Sequence, residues 1–338
     1  MGPVRSLVVR LDSFGDVLLA GPAVRAVAAH SSHVTMVCGP RGEDAARMLP
    51  GVDEVLVWEA PWEGFSPPSV EDADVADFIR RVREGAYDTA LILTSFHQSP
   101  LPAALLLRMA HVGRIGADSR DHPGRLLDVR HRRLPGRHEA EAALDTAAAL
   151  GFVPEPRDDG RLRVLPPPDT VGLTGNGPYV VVHPGASAPA RAWSPHRCAE
   201  AVAALADAGH RVIVTGGPAE TALTKEVSGT AARDLGGRTD PRSLAGVLRS
   251  ADVVVSGNTG PAHLAAAVGT PVVSLFAPVV PAERWAPYGV STIVLGDQQA
   301  ACAGSRARYC PQPGHPCLDD VTATDVVLAV QKLLKEST

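Results

Sequence analysis

Short apolar runs rich in Val, Leu and Ile alternate along the chain with Ala- and Leu-rich stretches of helical character. In the first half the runs at 7–11, 34–38, 55–58 and 89–93 predict strands, and the stretches 22–30, 75–84, 101–110 and 139–150 predict helices. In the second half strands are predicted at 179–182, 212–215, 253–256, 272–276 and 292–295, most of them followed by a helix. Ser194-Pro195 and Asp240-Pro241 each pair a residue that caps helix N-termini with proline at the first helical position. Thr322 and Asp325 have the spacing of an acidic capping box that opens a final helix.

Strands that are apolar throughout, rather than alternating, fit parallel sheets covered by helices on both faces. The pattern therefore predicts an α/β protein with doubly wound, Rossmann-like sheets. Between the halves, 154–160, 166–169 and 172–178 are too rich in Pro and Gly for the interior of an element and read as an interdomain linker. The expected domains are 1–168 and 169–338, with the final helix a candidate to cross back onto the first domain. Two such domains would face each other across a cleft, with ligands outside the strand carboxyl ends. A second Pro-rich stretch, 61–69, is expected as a loop beside that cleft.

At 338 residues, 45% hydrophobic and 20% charged, the chain has the size and composition of two ordinary globular domains. Its net charge of −5 disfavours a nucleic-acid partner. Positive charge is carried almost entirely by Arg, which suits directed recognition of anions. The first residues run into a strand without a charged leader, and no apolar run approaches the roughly 20 residues that span a bilayer. A cytoplasmic location without transmembrane segments is expected, with peripheral membrane association left open. Five cysteines in such a chain argue against a disulfide framework.

Three segments carry candidate chemistry, each at a strand-to-helix junction. In RLDSFGD, 10–16, Gly15 permits a tight turn and places Asp16 at a helix entrance; Asp12 or Asp16 acting only as a helix cap is the competing reading. The segment has no G-x-G-x-x-G phosphate turn, which disfavours a dinucleotide site. In HPGASAPARAWSP, 183–195, small residues allow close backbone approach, Ser187 offers a hydroxyl and Arg191 a forked cation for phosphate oxygens, against the alternative of an ordinary loop arginine. In VVVSGNTGPAHLAAA, 253–267, amides from Thr259 to Ala262 open a helix whose dipole favours a diphosphate, and His263 lies in its first turn, unless it is simply a core histidine.

Taken together, SFGDVLLAGPA, HPGASAPARAWSP, and NTGPAHL followed by GTPVVSLF resemble glycosyltransferase family 9, the bacterial ADP-heptose:lipopolysaccharide heptosyltransferases and their relatives, over nearly the whole chain. The resemblance implies the GT-B fold. It implies Asp16 as catalytic base, Arg191 where the family usually has a phosphate-binding Lys, and Glu220, in TGGPAE, as the residue that holds the donor ribose. It implies Thr259, Gly260 and His263 as the diphosphate-binding turn, with Asn258 where many members carry Asp. His97 and Gln98, in TSFHQSP over 94–100, fall on the acceptor-side turn.

The activity implied is a single inverting displacement, in which a sugar, a heptose from ADP-heptose by the resemblance, passes from a nucleotide-diphosphate donor to a saccharide or other hydroxyl acceptor. No cofactor or metal is expected, because no Asp-x-Asp pair stands where a metal-dependent transferase needs one; Arg191 and the turn amides would neutralise the leaving diphosphate. The competing readings are a nucleotide-sugar epimerase of GT-B fold and a non-catalytic nucleotide-sugar-binding protein. Cys302, Cys310, His315 and Cys317 form a possible zinc ligand set, but their spacing matches no standard module, so a reduced, packed loop is expected.

Overall fold

The computed structural model describes residues 4–64 and 66–336. It divides into two units, Met1–Leu165 and Pro166–Thr338. In the first, β1 (Arg5–Val9), β2 (His33–Cys38), β3 (Glu54–Val57), β4 (Thr89–Ile92), β5 (Arg114–Asp118) and β6 (Val129–His131) form one sheet. In the second, β7 (Val180–His183), β8 (Val212–Val214), β9 (Arg233–Asp234), β10 (Val253–Gly257), β11 (Val272–Leu275) and β12 (Thr292–Leu295) form another.

The sheet orders are β3-β2-β1-β4-β5-β6 and β12-β11-β10-β7-β8-β9. Every pairing is parallel. Renumbered within its own unit, the second sheet repeats the order of the first, and both are the doubly wound arrangement expected from the strand pattern. The chain reverses its direction of travel across each sheet at one place: between β1 and β4, and between β7 and β10. The central strands are buried on both faces, with Leu7, Val9 and Ile92 in the first core and Val182, Val255 and Val273 in the second.

The three strands that the apolar pattern does not predict are β5, β6 and β9. Arg114–Asp118 is RIGAD, Val129–His131 is VRH and Arg233–Asp234 is RD. β6 and β9 lie at sheet edges, where one side needs no apolar cover. The helix expected over 22–30 is preceded by a further one: Phe14–Leu19 and Gly21–Ala28 follow each other directly. The expected caps form. Asp240 Oδ1 accepts from Ser243 N at 2.6 Å, Ser194 Oγ accepts from Arg197 N at 3.4 Å, and Thr322 and Asp325 exchange bonds reciprocally at 2.9 and 3.2 Å. The final helix, Ala323–Glu336, packs mainly on Pro195–Asp207 and on β10, β11 and β12 within the second unit.

The Pro- and Gly-rich stretch expected as a linker is largely fixed instead. Arg25 donates to both oxygens of Asp158, at 2.6 and 2.8 Å, and to Arg161 O at 2.8 Å. Leu162 is buried, and Leu165 N donates to Met48 O at 2.8 Å. Residues up to 165 are therefore a strap on the first unit. Arg25 holds the Asp158 carboxyl down to about 2, chiefly by hydrogen bonding. A depressed carboxyl contributes stability above its unfolded value, and that contribution disappears as pH falls through about 2. Asp158→Asn is accordingly expected to lower stability by about 2 kcal/mol at pH 7, with the difference shrinking steadily below pH 4 in urea titrations. Within the stretch 61–69, Phe65 lies outside the described residues, and the remainder has no regular secondary structure.

Candidate active site

The first unit gathers a charged cluster at the carboxyl ends of β1 and β4, its switch point. Arg10 follows β1 directly and is 3% exposed. Its Nη2 lies 2.6 Å from Asp12 Oδ2 and 3.2 Å from Asp16 Oδ1, and donates to Ser95 Oγ at 2.9 Å. Its Nη1 lies 3.9 Å from the buried Glu139, which also pairs with Arg133. Burial works against the charge on Arg10, but Asp12, Asp16 and Glu139 outweigh it and hold the guanidinium above its ordinary value. The arginine is a fixed cation around which the carboxylates are arranged.

Asp16 sits in the first turn of Phe14–Leu19. Ser13 is the N-cap, but its hydroxyl donates to Asp16 Oδ2 at 2.7 Å instead of capping the helix. Neither Asp12 nor Asp16 is the cap residue, so the bland reading of this segment does not account for them. The two differ in exposure. Asp12 is walled in, its side chain 8% exposed, by Arg10, by Ser95 Oγ at 3.0 Å and by Gln98 Nε2 at 2.7 Å. The Asp16 side chain is 20% exposed, and it is the carboxylate that a ligand can reach.

Gln98 is turned into this cluster. Its Oε1 accepts from Ser95 N at 2.7 Å, and its Nε2 donates both to Asp12 Oδ1 and to Glu63 Oε2, each at 2.7 Å. His97 is exposed, with its ring edge-on to Phe96 at 5.4 Å. Glu63 escapes a reading of the sequence, because nothing local to the loop announces its partners. Burial, then the neighbouring Asp12 charge, pushes its carboxyl up to about 7.

In the second unit the candidate residues converge on the switch point between β7 and β10. His183 ends β7 and shares a 3.0 Å hydrogen bond with Thr215, just past β8. Burial holds its imidazole below its ordinary value. Glu220 closes the turn Pro218–Glu220; its Oε2 accepts from Gly217 N at 2.7 Å and lies 4.0 Å from His183 Nε2. The carboxylate leans over Gly185, where a Cβ would come within 1.9 Å of Glu220 Oε1. Ser187 is exposed on the same loop.

Arg191 ends the turn Pro189–Arg191, whose backbone packs against the end of β10: a Cβ on Gly257 would lie 2.9 Å from Arg191 O. A side chain at 257 would push the Arg191 carbonyl away from the strand end. Thr259 is the extended N-cap of Gly260–Ala267, with no side-chain cap, so the helix start presents backbone to its surroundings. His263 is 4% exposed in the first turns of that helix. Asn258 is also 4% exposed, and its Nδ2 is buried with no hydrogen-bond partner among the described residues. An aspartate here would bury an anion, whereas the amide supplies a donor.

The cysteine loop is anchored at its buried ends, and most of the residues between them are exposed, so the expected packing holds only at Cys302 and Cys317. All five cysteines are free, and Cys302 and Cys317 are buried. Burial, then the neighbouring Cys302 and Cys310, pushes the Cys317 thiol up to about 12. His315, held in a left-handed conformation at φ 49°, shares a 3.2 Å bond between its Nε2 and Ala190 O. Ala190 N in turn donates to Arg308 O at 3.0 Å. No group of three or more His, Cys, Asp or Glu among the described residues is arranged to hold a metal ion. Nor is any helix among them long and apolar enough to cross a membrane.

Two doubly wound units of identical strand order are the architecture of the GT-B fold. Residues 75–314 match glycosyltransferase family 9 (heptosyltransferase), and the chain belongs to that family. It is 29% identical over 181 residues to lipopolysaccharide heptosyltransferase 3 of Escherichia coli K12, a match spanning 50% of this chain and 49% of that protein. The chain thus spans about half the length of that relative. The glycosyl transferase family 9 structure from Veillonella parvula superposes with a TM-score of 0.79 at 18% identity, covering 98% of both chains. The E. coli heptosyltransferase WaaC with ADP gives 0.72 at 20% identity, covering 98% of this chain and 100% of that one. At such identities the likeness establishes the fold.

Proposed function

We propose that this chain is an inverting, metal-independent glycosyltransferase that moves a heptose from ADP-heptose to an acceptor hydroxyl. The observation that carries the reading is Asp16: a reachable carboxylate at the switch point of the first sheet, aimed by Arg10 and Ser13, in a member of this family.

The acceptor hydroxyl gives its proton to Asp16 as its oxygen attacks the anomeric carbon. The bond from that carbon to the diphosphate breaks on the opposite face, and ADP leaves with the electron pair. An aspartate suffices as the base because the hydroxyl becomes acidic only as the new bond forms. On the donor side, Arg191, the backbone at Thr259–Gly260 and His263 receive the diphosphate, with Ser187 and Asn258 as further donors, and Glu220 takes the ribose hydroxyls. His97 offers an exposed acceptor contact, while Gln98 acts by bracing Asp12.

Thermal denaturation with a panel of nucleoside diphosphates tests the donor: ADP is expected to raise the midpoint more than GDP, UDP or CDP, since ligands of the native state stabilise it. With ADP-heptose and a hydroxyl acceptor, ADP release should persist in EDTA and the product should carry the inverted anomeric configuration. Retained configuration or loss of turnover in chelator would overturn the mechanism.

A further inference from the structure

The established fold and the base assignment leave one group at the first switch point without a task. Glu63 lies on the loop after β3, and the side chains it meets, Gln98 and Asp12, are far from it in sequence. It accepts from Gln98 Nε2 at 2.7 Å, and the same nitrogen donates to Asp12 Oδ1 at 2.7 Å. Asp12 holds Arg10 at 2.6 Å, and Arg10 holds Asp16 at 3.2 Å. A continuous chain therefore runs from Glu63 through Gln98, Asp12 and Arg10 to the carboxylate proposed as base.

We propose that Glu63 is a positioning residue for Asp16: as a neutral acid it bridges to Asp12 and locks Gln98, and as an anion it loosens both and slows transfer. The proposal rests on Asp16 being the base. The charged groups facing Glu63 are Asp12 and Arg10 from the end of β1. Arg41 approaches the adjacent Gly64, its Nη2 3.2 Å from where a Cβ would stand.

The physical reason is proton sharing. Two neighbouring carboxyls, one buried and one half-buried, cannot both ionise cheaply, and the pair holds one proton until the solution is basic enough to remove it. Burial raises the Asp12 carboxyl as well, but Arg10 at 2.6 Å opposes that rise and favours its charged form. Glu63, pushed up to about 7 by burial and by Asp12, is the member that holds the proton. Its loss sets two anions against each other across the amide of Gln98. Gln98 also fixes the turn at Ser95 through Ser95 N, and Ser95 Oγ is a ligand of both Arg10 and Asp12. Disturbing Gln98 therefore shifts the Arg10 side of the Asp16 orientation, while the bond from Ser13 Oγ remains.

The test is the pH dependence of wild type, Glu63→Gln and Glu63→Ala. Wild-type kcat should fall above pH about 7 with a limiting slope of roughly tenfold per pH unit, while KM for the donor stays level. Glu63→Gln, which mimics the protonated acid, should keep most turnover at pH 6 and lose the decline. Glu63→Ala should lower kcat throughout without an inflection. A decline unchanged in Glu63→Gln, or a flat wild-type profile between pH 6 and 8.5, overturns the proposal.

A second readout needs no activity. A carboxyl raised in the folded state gives stability that is present below its unfolded value and is lost as pH rises through about 7. The thermal midpoint of wild type relative to Glu63→Gln should therefore fall between pH 5 and 8; parallel curves overturn the shared proton. If this midpoint signature holds while Asp16→Asn retains turnover, the base assignment has failed and the Glu63–Asp12 pair stands.

Discussion

Asp16→Asn should lose at least roughly two orders of magnitude in kcat, the usual contribution of a positioned general base, and keep its affinity for the donor. The substitution changes almost no volume. Asn can still accept from Ser13 Oγ, so the first turn of Phe14–Leu19 keeps its contact. Arg10 retains Asp12 at 2.6 Å and Glu139 at 3.9 Å as counter-charges, so no buried cation is stranded. What disappears is one counter-charge of Arg10 and the proposed acceptance of the hydroxyl proton. Asp12→Asn makes an instructive comparison. Asp12 is enclosed by Arg10, Ser95 and Gln98, so its replacement removes a partner from a buried cation and should show as lower stability as well as lower turnover. Calorimetric titration of ADP, urea unfolding and steady-state kinetics on the two variants separate these outcomes. Near-wild-type turnover in Asp16→Asn removes that residue from the role.

The contrast between the two aspartates shows where a sequence stops being informative. The fold was legible because it is a matter of local pattern: apolar runs such as VVV at 180–182 and 253–255 mark central parallel strands wherever they occur. β9 was not, because two residues at a sheet edge need no apolar face. At the candidate site, the segments carrying Asp16, Arg191 and His263 stand out in the sequence by their position between strand and helix. Their supports could not. Arg10 meets Ser95 across 85 residues, and Gln98 meets Asp12 across 86. Neither contact leaves a trace in spacing or composition. The same holds for residues 154–165, whose Pro and Gly content resembles a linker until Arg25, 133 residues away, is seen to clamp Asp158. His315 is a related case. Its company of cysteines evokes a metal ligand, whereas its ring nitrogen faces the backbone of Ala190. Composition identifies which side chains are available, and only tertiary placement decides whether they serve a ligand, a neighbour or the loop itself.

That last contact bears on the second large effect. Arg191→Ala should weaken ADP binding by roughly 10- to 100-fold, the value of one or two charge-assisted hydrogen bonds to phosphate. Arg191→Lys should fall between, because a lysine keeps the charge and loses the fork. The position of this arginine is imposed by backbone rather than chosen by a flexible loop. Ala190 is held on one side by Arg308 O and on the other by His315 Nε2, and the glycine at 257 admits the Arg191 carbonyl against the end of β10. A turn so constrained need not be ordered when a phosphate binds, and this backbone preorganisation is what would make a single residue costly to remove. The effect should diminish at high salt, since a partly exposed ion pair is screened, whereas the contribution proposed for Glu220 should not. Titrating ADP into wild type, Arg191→Ala and Arg191→Lys at low and at molar salt reads both quantities. If the alanine variant binds ADP within about twofold of wild type at low salt, where electrostatics are strongest, the diphosphate does not lie against this turn.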